Sequence, residues 1–221
     1  MTRIAVVDYG AGNLVSIEQA LRTVGADVRI VDAPEALTGA DGLVVPGVGA
    51  ASPAMAELED RGLVGPILGW IEAGRPFLGI CLGLQLLFES SDEDGARTLG
   101  VLAGRTRRLE RAPTLPHIGW NQVVRTRPHP LFDGIPADAD FYFVHSYAGE
   151  LDEAAAGAKL ATTEHGVEFT SAIAVGAIAG VQFHPERSGV DGLRLLGNFV
   201  ALAARAATAP AAPPAAAPVV A

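Results

Sequence analysis

The sequence predicts an α/β fold: a mostly parallel central sheet flanked by helices, with an additional antiparallel β region. Short apolar runs recur in the first half of the chain, at residues 4–7, 28–31, 42–45 and 77–80, and only the second is interrupted by a charge, at Arg29. Runs of this length and composition are typical of parallel strands buried on both faces. Helical segments separate these runs, and the alternation indicates a sheet covered on both sides. Farther along, residues 170–175 and 177–183 predict a hairpin through Gly176, which supplies antiparallel strands.

The helices are predicted from apolar periodicity and from capping residues. Asn13 can cap a first helix, and Gly25 ends it. Its apolar residues follow 3.6-residue spacing, at Leu14, Ile17, Leu21 and Val24. Ser52 is expected to cap a second, short helix. Residues 63–71 and 193 to about 206 predict two more, the last of them closing the domain.

Parallel sheets place their functional sites at the carboxyl ends of the strands. Four loops follow predicted strands here, at residues 8–13, 46–49, 81–83 and 184–189. We therefore expect the functional side chains to come from these four loops.

The loop at Cys81 has the pattern of a tight strand-to-helix turn that exposes a nucleophile. Gly79 and Gly83 stand two residues before and after it, where a Cβ would collide with the neighbouring strand or helix. A helix predicted over 84–89 would place Cys81 near a helix N-terminus, which favours a thiolate. The N–H of Leu82 would then be free to face an oxyanion. A lone cysteine is more often an inert buried hydrophobe, so the chain must also supply a base.

Composition limits the class of protein. A chain of 221 residues can form one domain with a sizeable core, and its single cysteine excludes an internal disulfide. The first residues do not resemble a signal peptide, and no segment approaches the roughly 20 apolar residues of a membrane span. A net charge of −9 argues against nonspecific nucleic-acid binding. We expect a soluble cytoplasmic protein.

His184 is the best candidate for the base among five histidines. It ends a strongly apolar strand, and Pro185 holds a carboxylate, Glu186, two residues on. Glu186 can fix the imidazole tautomer while the other ring nitrogen takes the Cys81 proton. The alternative is a polar surface turn. His145 also follows an apolar strand, but it has no carboxylate nearby in sequence.

Three further motifs are less specific than the Cys81 turn. The N–H of Val48 or Gly49 could supply a second oxyanion donor, or residues 46–49 could be an ordinary strand-ending turn. Residues 10–13 resemble part of a dinucleotide fingerprint that lacks its third glycine. Residues 104–111 carry four arginines, which could face phosphate or an acidic partner, but a solvated strand or loop is favoured.

Residues 79–85 and 181–186 together resemble the two signatures of class I, or triad-type, glutamine amidotransferase domains. Within that class, four motifs make the chain similar to glutaminase subunits of imidazole glycerol phosphate synthase, an enzyme of histidine biosynthesis. These motifs span residues 46–49, 116–121, 141–147 and 184–189. The resemblance implies a flavodoxin-like amidotransferase domain over residues 1–206. It excludes an Ala/Pro-rich tail at 207–221, which we expect to be flexible and dispensable.

The resemblance also implies a division of roles among the residues. The catalytic set is Cys81, His184 and Glu186, and the oxyanion hole is formed by Leu82 with Val48 or Gly49. The glutamine pocket would be lined by Gly47, Gly49, Gln85, Ser146 and Tyr147. No cofactor and no metal ion are implied. Ammonia would pass to a (β/α)8-barrel cyclase subunit in a heterodimer, through a surface that includes Asn13, Ser16, Trp120, Tyr142 and Arg187.

Three rival functions stay open at the level of sequence. The chain could be a free-standing Cys hydrolase of amides or γ-glutamyl peptides, or a silent binding module that keeps the fold. It could also be the glutaminase of another synthetase.

Overall fold

The computed structural model describes residues 1–208 and is built on an eight-stranded sheet. Its spatial order is β2-β1-β3-β4-β13-β12-β11-β8. The strands are β1 (Arg3–Val7), β2 (Asp27–Val31), β3 (Gly42–Gly47), β4 (Phe77–Cys81), β8 (Val124–Arg125), β11 (Lys159–Glu164), β12 (Glu168–Val175) and β13 (Ile178–Val181). The first five in spatial order run parallel, and the last three add antiparallel pairings. The predicted fold class is confirmed.

Helices cover both faces of the parallel strands. They are α1 (Leu14–Thr23), α2 (Ala51–Asp60), α3 (Val64–Glu72), α4 (Leu82–Gln85) and α5 (Gly189–Thr208). Strand residues alternate between two cores: Ile4 and Val6 pack with α1 and α5, whereas Ala5 and Val7 pack with α2 and α3. This is the period-two alternation expected when both faces of a strand are buried.

Two small sheets extend the central one. One contains β5 (Ser90–Ser91), β6 (Gly104–Arg108) and β10 (Tyr147–Leu151), and the other pairs β7 (His117–Gln122) with β9 (Asp140–His145). The β7–β9 ribbon is antiparallel, with Trp120 opposite Tyr142 and His117 opposite His145. Among the described helices, none is long and apolar enough to cross a membrane.

Local capping follows the prediction at α1 and departs from it at α2. The Asn13 side chain accepts a hydrogen bond from the N–H of Ser16, as expected of a cap. Ser52 is not a cap, because α2 begins one residue earlier. Its N–H instead donates to Asp94 Oδ2 at 2.6 Å, so a carboxylate from a distant loop caps the helix. No local sequence pattern reveals this cap.

Two helices differ in length from the prediction. The segment predicted as helix over 84–89 is helical only as α4. The N–H of Glu89, which a helix over 84–89 would direct to the Gln85 carbonyl, donates instead to the Gly104 carbonyl at 3.1 Å. At the other end of the chain α5 runs to Thr208, two residues past the predicted domain boundary. The rest of the predicted tail, 209–221, lies outside the described residues.

Candidate active site

Cys81 occupies a sharp turn between β4 and α4. Its φ of +54° makes it the one non-glycine residue with a positive φ in the described chain, a conformation that costs of order 1–3 kcal/mol. A Cβ on Gly79 would lie 2.5 Å from the Gly83 carbonyl oxygen, and a Cβ on Gly83 would overlap the Val45 carbonyl. The predicted need for two small flanking residues is confirmed. The surrounding backbone therefore holds Cys81 in a strained turn.

His184 and Glu186 follow the strand that lies next to β4. Gly79 pairs with Gly180 and Ile80 with Val181, so the chain leaves both strands at the same edge of the sheet. Nδ1 of His184 lies 2.8 Å from Glu186 Oε1, and the two side chains are each only 6% exposed. Because a carboxylate oxygen can only accept, Nδ1 carries the proton and Nε2 is left for chemistry.

The charge state of His184 is set by its neighbours. Burial lowers the pKa of His184, but the nearby Cys81 and the hydrogen-bonded Glu186, with their negative charges, raise it to about 10. Nε2 of His184 is buried and has no hydrogen-bond partner among residues 1–208, although the Cys81 thiol lies close enough to raise the pKa of the ring. The arrangement favours an imidazolium beside Cys81, which is poised to protonate a leaving group.

The loop that carries His184 is tied to the β7–β9 ribbon by backbone hydrogen bonds. The N–H of His184 donates to the Tyr142 carbonyl at 2.8 Å. Ser188 Oγ receives the N–H of Tyr142 at 3.0 Å and donates to the His184 carbonyl at 2.6 Å. Ser188 is buried and was not predicted as a site residue. A shift of β9 would therefore move His184.

The predicted oxyanion loop begins directly beside Cys81. Gly47 is paired with Cys81 at the ends of β3 and β4, whereas Val48 is 46% exposed and Gly49 has a φ of +97°. Leu82 opens α4, so its N–H has no acceptor within that helix. The structure thus places Gly47 and Leu82 beside Cys81 and close to each other, since a Cβ on Gly47 would lie 3.1 Å from Leu82 Cβ.

Tyr9 lies beneath this loop and was not predicted as a site residue. Its hydroxyl occupies the space that a Cβ on Gly47 would need, and it has no hydrogen-bond partner among the described residues. Burial and the neighbouring Cys81 charge raise the pKa of Tyr9 well above its usual value. Tyr9 therefore stays neutral, and Gly47 cannot be replaced by a larger residue without displacing it.

The predicted glutamine-pocket residues are partly connected. Nε2 of Gln85 donates to the Tyr147 carbonyl at 2.9 Å. Ser146 lies between β9 and β10, half-buried, and its carbonyl accepts from Leu109 N–H. The structure thus brings Gln85 and Tyr147 together, and within residues 1–208 the Ser146 side chain makes no hydrogen bond to Cys81.

Gln182 is the polar residue in contact with the nucleophile that sequence analysis overlooked. Its Nε2 donates to Cys81 Sγ at 3.5 Å, and its Oε1 accepts from Gln85 at 3.1 Å. The period-two rule could have found it, since residues two apart on a strand point to the same face and Gln182 stands two before His184.

The predicted interface residues lie at the same edge as the catalytic loops. Asn13 and Ser16 open α1, which packs against the turn Pro185–Arg187. Trp120 is 57% exposed and meets Tyr142 edge-on, with ring centroids 6.0 Å apart. The Arg187 guanidinium lies 4.1 Å from the centre of the Tyr142 ring.

The two remaining motifs, at residues 10–13 and 104–111, form a helix-capping loop and a partly exposed strand. The loop at residues 10–13 ends in the α1 cap and packs against Gly47. The arginine-rich segment is the half-solvated strand β6, where Arg107 pairs with Asp92 and Glu150. Over residues 1–208, no group of three His, Cys, Asp or Glu side chains is arranged to hold a metal ion.

Comparison with known proteins identifies close relatives along nearly the whole chain. Residues 5–202 match the family described as glutamine amidotransferase class-I. The chain is 48% identical to the imidazole glycerol phosphate synthase subunit HisH of Moorella thermoacetica, over 95% of this chain and 99% of the relative. It is 49% identical to the HisH subunit of Thermosynechococcus vestitus, over 90% and 96%.

Solved structures share the fold at lower sequence identity. A structure described as a glutamine amidotransferase superposes with a TM-score of 0.72 at 21% identity, covering 90% of this chain and 98% of its own. PurLQS from Thermotoga maritima gives the same TM-score at 18% identity, covering 90% and 98%. At these identities the likeness supports the fold alone.

Proposed function

Because the chain belongs to the class I glutamine amidotransferases and, within them, to the HisH subunits of imidazole glycerol phosphate synthase, we propose that it hydrolyses glutamine to glutamate and ammonia for histidine biosynthesis. The observation that carries the chemistry is the juxtaposition of two strand ends. Cys81 ends β4 in a strained turn, and the His184–Glu186 pair follows the adjacent β13. A nucleophile, a base and an orienting carboxylate are the parts that thioester catalysis requires.

In the proposed first half-reaction, Cys81 Sγ attacks the side-chain amide carbon of glutamine. His184 holds the thiol proton on Nε2 and gives it to the nitrogen of the departing ammonia. Glu186 keeps Nδ1 protonated and stabilises the imidazolium, as its 2.8 Å contact allows. Sγ is then bonded to the glutamyl group as a thioester.

In the second half-reaction, His184 removes a proton from water, which attacks the thioester and releases glutamate and the free thiol. Both steps pass through an oxyanion that we place against the N–H of Leu82 and a peptide N–H of residues 47–49. Loss of one such donor typically lowers turnover by about 10²–10³-fold. Gln85, Ser146 and Tyr147 are proposed to hold the rest of the glutamine.

Ammonia transfer requires a partner, which we propose to be a (β/α)8-barrel cyclase subunit that makes imidazole glycerol phosphate and aminoimidazole carboxamide ribotide. The surface that would receive it comprises Asn13, Ser16, Trp120, Tyr142 and Arg187. Backbone bonds from Tyr142 to the His184 loop would connect that surface to the catalytic base. The cytoplasmic location stays a prediction.

We further propose that the partner gates the activity through the oxyanion loop. Val48 is half-exposed between two glycines, and the positive φ of Gly49 lies where glycine can rotate at low cost. A loop of this kind can hold its peptide turned away from the oxyanion until the partner reorients it.

The test is glutamate release from glutamine, measured with and without the cyclase subunit and its nucleotide ligand, with Cys81→Ala as the blank. We expect slow release alone and strong stimulation by the liganded partner, both abolished by the substitution. Equal rates with and without the partner would overturn the gating and favour a free-standing hydrolase. A folded wild-type chain inactive in both settings would leave only a binding role.

A further inference from the structure

Two buried histidines take no part in the reaction proposed above. His117 and His145 face each other across the β7–β9 ribbon and are only 3% and 6% exposed. Nδ1 of His117 lies 3.1 Å from Nε2 of His145. Burial lowers the pKa of His145 to about 3 and that of His117 to about 4, so both rings are neutral at physiological pH.

The surroundings allow each neutral ring a single tautomer. Nδ1 of His145 lies 2.9 Å from the Tyr147 carbonyl, which can only accept, so this nitrogen carries the proton and Nε2 accepts. Nδ1 of His117 must then donate to it. The remaining nitrogen of His117 accepts from Nδ2 of Asn121 at 3.2 Å. From Asn121 through His117 and His145 to the Tyr147 carbonyl, each residue therefore donates a hydrogen bond to the next.

A second set of hydrogen bonds starts at the same Tyr147 carbonyl and leads to the nucleophile. The Tyr147 carbonyl also accepts from Nε2 of Gln85, whose second N–H donates to Oε1 of Gln182. Nε2 of Gln182 in turn donates to Cys81 Sγ. Each amide has one orientation that satisfies its neighbours, because turning either one over would set two acceptors or two donors against each other.

We propose that Gln182, held by Gln85 and by the His117–His145 pair, is a positioning residue for the Cys81 nucleophile. An N–H group directed at sulfur stabilises the negative charge that the attacking thiolate carries. A Gln182 amide turned over would place its carbonyl oxygen against that charge instead. The Tyr147 carbonyl, which accepts from both His145 and Gln85, fixes the Gln85 amide and through it the Gln182 amide, so the turn is prevented. Because His145 holds that carbonyl in place, the β7–β9 ribbon controls the reactivity of Cys81.

This proposal deepens the proposed function, but its test does not depend on glutamine hydrolysis. Cys81 is the only cysteine in the chain, so alkylation of the full-length protein by iodoacetamide reports on this sulfur alone. A failure here would leave the glutaminase assay unaffected, and an inactive glutaminase could still show the coupling.

The single substitutions compare loss of the hydrogen bonds with loss of packing. Gln182→Met keeps the side-chain length and is expected to slow alkylation about tenfold. His145→Phe keeps a ring against Phe169 and is expected to slow alkylation about threefold to tenfold, because the Tyr147 carbonyl loses the donor that holds it in place against Gln85. The matched control is His165→Phe. The His165 ring stacks on His117, but its hydrogen bond goes to the Thr114 carbonyl, which is not part of the hydrogen-bond path to Cys81. It should leave the rate unchanged.

A double-mutant cycle separates positioning from general damage. If His145 acts through Gln182, the variant carrying both substitutions should react no more slowly than Gln182→Met alone. Multiplying effects would overturn the proposal, as would a folded His145→Phe protein that reacts at the wild-type rate. Should His145→Phe fail to fold, His145→Asn, which keeps a donor near the Nδ1 position, serves in its place. The His145→Asn protein should still restrain the Gln182 amide and should therefore be alkylated faster than Gln182→Met. An equally slow reaction would overturn the proposal.

Discussion

At the scale of single residues, the site depends on the negative charge of Glu186, which lies 2.8 Å from Nδ1 of the His184 ring. Glu186 and His184 are both 94% shielded from solvent at the side chain, so their interaction is not screened as a surface pair would be. Removing the charge while keeping the shape tests whether Glu186 acts electrostatically or only fills space.

Glu186→Gln is expected to lower kcat at least tenfold with little change in KM, because the imidazolium loses its stabilising charge while the glutamine pocket stays intact. Steady-state kinetics with the partner present would measure this. Glu150→Gln, on an exposed surface pair with Arg107, is the matched control and should behave as the wild type. An unchanged kcat in Glu186→Gln would remove the carboxylate from the mechanism.

A second prediction at this scale concerns the glycines of the turn. Gly83→Ala would drive a methyl group into the Val45 carbonyl, so the turn or β3 must move and both activity and stability should fall. Gly69→Ala is the control, because Gly69 lies inside α3 with open space around it. There alanine should stabilise the protein by about 0.5–1 kcal/mol. Urea unfolding of both variants measures the contrast, and equal stabilities would contradict it.

At the scale of elements, the β7–β9 ribbon exposes two large apolar side chains, Ile118 and Trp120. Trp120 presents a large aromatic surface that the fold itself does not bury. Aromatic residues of this kind often dominate the binding free energy of an interface.

Trp120→Ala is therefore expected to weaken binding of the cyclase subunit by about tenfold or more, without lowering the free energy of unfolding. Titration calorimetry with the purified subunit would measure the loss. Val175→Ala removes another exposed apolar side chain, from the hairpin at the opposite edge of the sheet, and should bind as the wild type. Equal affinities for both variants would place the interface elsewhere.

The elements also show which features the sequence could predict. The strands, the Cys81 turn and the position of His184 depend on local spacing, and a reader of the chain can find them from glycines and apolar runs. The hydrogen bonds from Asn121 to Cys81 join residues up to 101 positions apart, and the cap on Ser52 comes from a residue 42 positions away. Local patterns carry no information about such pairings, and the same holds for the bond from Glu89 N–H to the Gly104 carbonyl that ends the helix early.

At the scale of the whole molecule, the pH dependence of the free energy of unfolding should reflect buried histidines whose pKa values are shifted in opposite directions. His145 has a folded pKa of about 3, below its unfolded value near 6.5, so the unfolded chain binds the extra proton between these values. Its contribution is lost as pH falls below about 6.5, and His117 acts in the same direction. His184 has a folded pKa of about 10, so its contribution is lost as pH rises from about 6.5 towards 10.

The free energy of unfolding should therefore be greatest near pH 6.5 and fall on both sides, with a slope of at most about 1.4 kcal/mol per pH unit for each histidine. Denaturant unfolding between pH 5 and pH 9 measures the curve while most carboxylates stay ionised. His145→Phe should flatten the acid side alone and His184→Phe the alkaline side alone, so each variant is the other's control. An acid side as steep in His145→Phe as in the wild type would show that acid sensitivity arises from other groups. It would also mean that keeping this ring neutral adds nothing to the stability of the fold.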